Sequence, residues 1–255
     1  MAPTEAINVG ARFKESSTMT LSIVPDQDQY AVPPLPRTTV PVASGGKPFP
    51  VHRIYCVGRN YADHAVEMGS DPEREPPFFF SKPADAVVPL GGDVAYPPLT
   101  GNLHYEGELV VAIGKSAADI GVDEALDLVF GYAVGLDLTR RDQQTAAKKV
   151  GQPWDMAKGF DHSAPCSTIH KAEAIDHPDA GRIQLRVNGE IRQDADIASM
   201  IWSVPELIAK LSQYVQLRAG DLIFTGTPAG VGAIVKGDVV EVGISGIDTL
   251  RVKIV

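Results

Sequence analysis

From Arg53 onward the chain reads as short apolar runs separated by turn residues. Ile54-Tyr-Cys-Val57 predicts a buried strand ending at Gly58. Asn60 stands where an N-cap belongs and predicts a short helix through about Met68, stopped by Gly69. Phe78-Phe79-Phe80 predicts a short strand between prolines, and residues 109–113 and 132–136 predict core strands. Thr139 predicts the cap of a second helix reaching about Lys149 and closed by Gly151-Gln-Pro153. Two strand-like runs, 183–187 and 190–192, flank Asn188-Gly189, the dipeptide that a type I′ hairpin turn demands. Between 204 and 217 the spacing changes, placing Leu207, Ile208, Leu211 and Val215 on one helical face. Residues 221–224, 239–244 and 249–255 predict three further strands. Strands outnumber helices and long crossover helices are few, so the pattern predicts a β-rich α+β fold and disfavours a doubly wound parallel sheet.

Residues 1–50 carry no sustained periodicity. Val32-Pro33-Pro34-Leu35-Pro36, Pro41 and Ser44-Gly45-Gly46 predict a Pro-rich N-terminal arm, because proline cannot donate to a ladder. The expected division is an arm over 1–50 and one main domain over 51–255, a length that supports a single large core. A net charge of -9 argues against a nucleic-acid or anionic-membrane partner. No apolar run reaches about 18 residues and the first twenty residues lack a signal-peptide core, which predicts a cytoplasmic protein. Cys56 and Cys166 read as reduced core thiols, with a single disulfide as the alternative.

The chemistry concentrates in Leu103-His104-Tyr105-Glu106-Gly107-Glu108-Leu109. On a strand Glu106 and Glu108 project from one face, about 7 Å apart along the backbone. Asp137 follows a second apolar run and reaches the same point if the two strands pair. Three converging carboxylates are costly without a cation, and all-oxygen ligation suits Mg²⁺, Mn²⁺ or Ca²⁺ rather than zinc. Glu-x-Glu alone is common on solvated strand faces. The remaining constellation strengthens the metal reading. His64 and Glu67 share a helix face at i, i+3, so the carboxylate can orient the imidazole as a general base. Arg141 and Gln144 repeat that spacing after Asp137, and Lys158 follows Trp154-Asp-Met-Ala. The turn Thr225-Gly-Thr-Pro-Ala-Gly-Val-Gly232 offers backbone N–H groups to a carboxylate and lacks the Gly-Lys-Ser/Thr of a Walker loop.

Taken together, Gly58-Arg-Asn-Tyr-x-x-His64-x-x-Glu67, His104-x-Glu106-x-Glu108, Asp137-x-Thr-x-Arg141-x-x-Gln144, Lys158 and Thr225-Gly-Thr-Pro-x-Gly-Val-Gly232 resemble the fumarylacetoacetate hydrolase family, over residues 52–255. Within it, Arg53-Ile-Tyr-Cys-Val-Gly-Arg-Asn-Tyr61, Arg74-Glu-Pro-Pro-Phe-Phe-Phe80 and the preceding arm look most like the fumarylpyruvate hydrolases of gentisate breakdown. The resemblance implies a mixed β-roll, a homodimer, and Mg²⁺ or Mn²⁺ held at Glu106, Glu108 and Asp137. It further implies a water-activating pair in His64 and Glu67, with Lys158 and Gln144 near the reacting oxygens. Arg141 and Thr225 then match substrate-binding positions.

That chemistry predicts a small anionic 2,4-dioxo acid as substrate. His64 would activate water against its 4-carbonyl while the cation stabilises the departing enolate. Decarboxylation of oxaloacetate and isomerisation of a hydroxymuconate-type diacid pass through the same enolate, and are the rival reactions. A non-catalytic metal- or carboxylate-binding protein is the rival of another class, against which the pairing of His64 with Glu67 argues, since binding needs no base.

Overall fold

The computed structural model describes residues 30–67 and 75–255. Residues 37–255 form one compact unit, and the described part of the other unit, residues 30–36, contains no helix or strand. The largest sheet among the described residues has eight strands. Across it run Phe79–Lys82, Ile54–Val57, Leu222–Phe224, Gly107–Ile113, Val129–Leu136, Ala164–Cys166 and Val87–Pro89, with His170–Lys171 paired beside Val129–Leu136. Ile54–Val57 runs parallel to Leu222–Phe224, and Ala164–Cys166 parallel to Val87–Pro89, so the sheet is mixed.

The central strands read as unbroken apolar runs because both sheet faces are covered. Along Gly107–Ile113 the side chains alternate between two cores. Leu109, Val111 and Ile113 enter the larger one, whereas Val110 and Ala112 enter the second. A five-stranded sheet closes the larger core, contributing Ile183 and Leu185, Val240 and Val242, and Leu250 and Val252. The result is a β-rich α+β roll.

The second core lies under residues that the sequence assigns to the arm. Thr39–Val40 pairs with Phe49–Pro50, and Val40, Val42 and Phe49 are buried against the outer face of the eight-stranded sheet. Phe49 packs on Phe130 with ring centroids 5.3 Å apart. Ile169 donates to Pro41 O and accepts from Ala43 N–H, fixing the segment in place. Residues 37–50 thus belong to the compact unit, while residues 1–29 of the expected arm lie outside the described residues.

The helices are α1 (Ala62–Glu67), α2 (Val122–Ala125), α3 (Arg141–Val150), α4 (Asp155–Lys158), α5 (Ala172–Ile175) and α6 (Val204–Tyr214). α6 starts with a Ser203/Glu206 capping box and buries Leu207, Ile208 and Leu211, as its periodicity predicts, whereas Val215, expected on the same face, lies past the helix end in extended backbone and is half-buried. Two expected caps are not caps. The Asn60 side chain instead ties three segments together, donating to Trp202 O and Thr225 O and accepting from Trp202 N–H. Thr139 pairs with His104 in a short strand, and its hydroxyl donates to Asp137 O. In both cases a donor from elsewhere in the fold, Trp202 N–H for Asn60 and Lys158 Nζ for Thr139, takes the side-chain oxygen that a cap would offer to a helix N–H. α3 does end at Gly151, which adopts the left-handed conformation, φ 67°. The expected stop of α1 at Gly69 lies outside the described residues. Cys56 and Cys166 are both free and buried. Among the described residues no helix is long and apolar enough to cross a membrane.

Candidate active site

The run 103–113 is two strands, not one. Leu103–Tyr105 belongs to a three-stranded sheet and Gly107–Ile113 to the large one, and Glu106 sits where the chain changes sheets. Gly107 pairs with Leu136, which brings Asp137 beside Glu106, and Asp137 N–H donates to Glu106 O at 2.8 Å. A Cβ on Gly107 would lie 2.9 Å from Val242, so only glycine lets the two glutamates stand this close to the five-stranded sheet. One carboxylate oxygen from each of Glu106, Glu108 and Asp137 lies within 4.8 Å of the others, and all three side chains are buried.

Three cations surround these acids. Arg141 Nη2 donates to Glu106 Oε1 at 2.5 Å. Lys158 Nζ donates to Glu106 Oε2 at 2.6 Å, Asp137 Oδ2 at 2.7 Å and Thr139 Oγ1 at 2.7 Å. Lys82 Nζ lies 2.7 Å from Asp137 Oδ1, an ionic contact without hydrogen-bond alignment, and donates to Leu138 O and Lys158 O. Lys82 was not singled out from the sequence. Its one signal is a lysine ending the aromatic run Phe78-Phe79-Phe80-Ser81, on the same strand face as Phe80.

Charge is distributed unevenly over the triad. Burial opposes ionisation of Glu106, but Lys158 and Arg141 hold its pKa well below the usual carboxylate range. Burial would likewise lower the pKa of Lys158, yet Asp137 and Glu106 raise it. Among the described residues Glu108 accepts from the Gly226 N–H alone, at 2.9 Å, and burial together with Asp137 and Glu106 pushes its pKa well up. A hard divalent cation would relieve that repulsion, and the all-carboxylate donor set fits one.

His64 and Glu67 face each other on α1, with Nδ1 3.1 Å from Oε2. Glu67 is also held by the Gly230 N–H at 3.2 Å. His64 is buried and close enough to Glu106 to contribute to its low pKa. The Gly-rich turn does bind carboxylates through backbone N–H groups, as its sequence suggests, but they are the protein's own, Glu108 and Glu67. The Thr225 side chain is buried and donates to Leu109 O. Gln193, which no sequence signal marks, anchors this turn by accepting from Gly107 N–H and donating to Thr227 Oγ1 and Pro228 O. Arg141 is engaged through each of its three nitrogens, because beside the Nη2 contact Nη1 donates to Gln144 Oε1 and Nε approaches His104 Nδ1 at 3.4 Å. His104 is kept neutral, its pKa lowered to about 4 by burial and by Arg141.

Residues 53–255 match the family model described as fumarylacetoacetate (FAA) hydrolase C-terminal. The chain belongs to the fumarylacetoacetate hydrolase family. It is 46% identical over 201 residues to the Rattus norvegicus mitochondrial oxaloacetate tautomerase FAHD1, covering 79% of this chain and 90% of that one. To the fumarylpyruvate hydrolase of Ralstonia sp it is 46% identical over 177 residues, 69% of this chain and 92% of that one. Among solved structures, the fumarylpyruvate hydrolase of Pseudomonas aeruginosa in complex with Mn²⁺ and pyruvate superposes with a TM-score of 0.87 at 50% identity, covering 89% of this chain and 99% of that one.

Proposed function

We propose that this protein is a divalent-metal-dependent hydrolase that cleaves a carbon-carbon bond of a 2,4-dioxo acid, converting fumarylpyruvate to fumarate and pyruvate. The observation that carries this reading is the buried triad Glu106, Glu108 and Asp137 beside a His64–Glu67 pair, in a chain half identical to a hydrolase crystallised with Mn²⁺ and pyruvate. The triad would hold Mg²⁺ or Mn²⁺, with Ca²⁺ as a further hard cation of the same chemistry. When bound, such a cation supplies the Lewis acidity that stabilises an enolate leaving group.

The side chains divide the remaining work. His64, oriented through Nδ1 by Glu67, presents Nε2 to a water and takes its proton as that water attacks the 4-carbonyl. Gln144 Oε1 is engaged by Arg141, which leaves its amide Nε2 to donate to a substrate oxygen. Lys158 keeps a positive charge beside the reacting oxygens, and Arg141 fixes Glu106. Thr225 serves through the backbone of its loop, since its hydroxyl is already donated to Leu109 O.

A second reading has a specific support. Oxaloacetate tautomerases cover this chain as fully as the hydrolases do, so keto-enol chemistry or decarboxylation of oxaloacetate on the same site is the rival reaction. Following the enol absorbance of fumarylpyruvate, with Mg²⁺ or Mn²⁺ and then with excess chelator, tests the proposal. Metal-dependent loss of absorbance with pyruvate released is the expected result. Inertness of fumarylpyruvate in the metal-loaded protein would overturn it.

A further inference from the structure

Tyr105 stands one residue before Glu106, at the end of the strand Leu103–Tyr105. Its ring packs in the larger core, and its hydroxyl donates to Gly230 O at 2.9 Å. Burial raises the pKa of the phenol, which keeps the hydroxyl a donor. A core tyrosine ordinarily satisfies its hydroxyl on whichever carbonyl lies at hand. Here the carbonyl belongs to the residue whose N–H is shared between the two carboxylate oxygens of Glu67, at 3.2 Å from each.

Glu67 depends on that N–H. Its side chain is 33% exposed, so water competes for the oxygen that faces His64 Nδ1. Gly230 in turn depends on its neighbours for its conformation. Its φ of 98° lies in the left-handed region, and a Cβ there would come 2.0 Å from Arg192 O, so the position takes glycine, the residue with the loosest backbone. Gln193 pins the turn on one side, at Thr227 and Pro228, and Gly232 pairs with Tyr105 on the other. Gly230 lies between these anchors, held through its N–H by Glu67 and through its C=O by Tyr105. The phenol reaches it across Gly232, where a Cβ would come 2.9 Å from the hydroxyl oxygen.

We propose that Tyr105 is a positioning residue for the base: its hydroxyl sets the Gly230 backbone so that the Gly230 N–H meets Glu67, and Glu67 so fixed holds the His64 imidazole in its orientation. The inference rests on the hydrolase reading, in which His64 is the base. Because Tyr105 and Glu106 are consecutive, one strand end carries both a carboxylate of the triad and the brace of the base. The geometry between base and triad is thereby set by a single piece of backbone.

Tyr105→Phe deletes the hydroxyl and keeps the ring in the core. In the Mn²⁺-loaded protein its kcat for fumarylpyruvate should fall about fivefold, the weight of one neutral hydrogen bond, with KM and Mn²⁺ affinity at parental values. Made in Glu67→Ala, the same substitution should lower kcat by less than a further factor of about two, since the brace then has nothing to hold. A parental kcat in Tyr105→Phe, or an equal loss with and without Glu67, would overturn the inference. Exchange of the Gly230 amide hydrogen in D₂O, followed by NMR in the metal-free protein, reads the contact without turnover. Exchange should be about fivefold faster in Tyr105→Phe and in Glu67→Ala than in the parent. A parental exchange rate in Tyr105→Phe would also overturn the inference. If the parent leaves fumarylpyruvate intact, the hydrolase reading fails, and amide exchange still decides whether Tyr105 braces Glu67.

Discussion

Two histidines within the same site are given opposite roles by their neighbours. His64 faces a carboxylate through Nδ1, and its replacement by alanine removes the proposed proton acceptor without touching the triad. Turnover of His64→Ala should fall roughly 10²-fold or more, the usual weight of a general base. Mn²⁺ affinity, measured by calorimetry, should stay at the parental value. Full turnover in that variant would make the pair structural. His104 faces Arg141, and its folded pKa of about 4 lies below the ordinary value of 6.5. The unfolded chain therefore binds the extra proton first as pH falls. His104 contributes stability that is present above about pH 6.5 and lost between that value and about pH 4. Denaturation of the metal-free protein across this range should show stability declining on acidification, and His104→Gln should flatten that slope. A variant with the parental slope would locate the acid sensitivity elsewhere. The acids and His64 were legible because their spacing has a geometric meaning on strands and helices. Lys82 and Gln193 were not, since each acts across sequence separations that no local pattern encodes: Lys82 reaches Asp137 and Gln193 reaches Gly107.

Element by element, the strands were the most readable feature, because period-two burial or an unbroken apolar run specifies them directly. The hairpin 183–192 follows from Asn188-Gly189, and α6 from its capping box and apolar face. Both mistaken caps occur where a donor from a separate element claims the side-chain oxygen, Trp202 N–H for Asn60 and Lys158 Nζ for Thr139. The segment 37–50 was unreadable for a different reason. Its prolines and glycines hide three buried side chains, Val40, Val42 and Phe49, that carry no periodicity. If those side chains close the second core, Phe49→Ala should cost about 3–5 kcal/mol, as for other buried aromatics truncated to alanine. An exposed arm residue would change stability by less than about 0.5 kcal/mol, so urea unfolding separates the two situations.

At the scale of the whole molecule, α1 is tied to the Gly-rich turn through Glu67 and Gly230 N–H, and α3 to the triad through Arg141 and Glu106; on the proposed reading the substrate lies between His64 and the cations around the triad. The proposed hydrolysis would use that placement to deliver a water to a 4-carbonyl. The most direct test supplies fumarylpyruvate and oxaloacetate in turn to the Mn²⁺-loaded protein in H₂¹⁸O and follows products by mass spectrometry. Hydrolysis predicts fumarate and pyruvate in equal amounts, one ¹⁸O entering the new fumarate carboxylate, and the higher kcat/KM for fumarylpyruvate. Faster tautomerisation or loss of CO₂ from oxaloacetate, with no labelled fumarate formed, would contradict it.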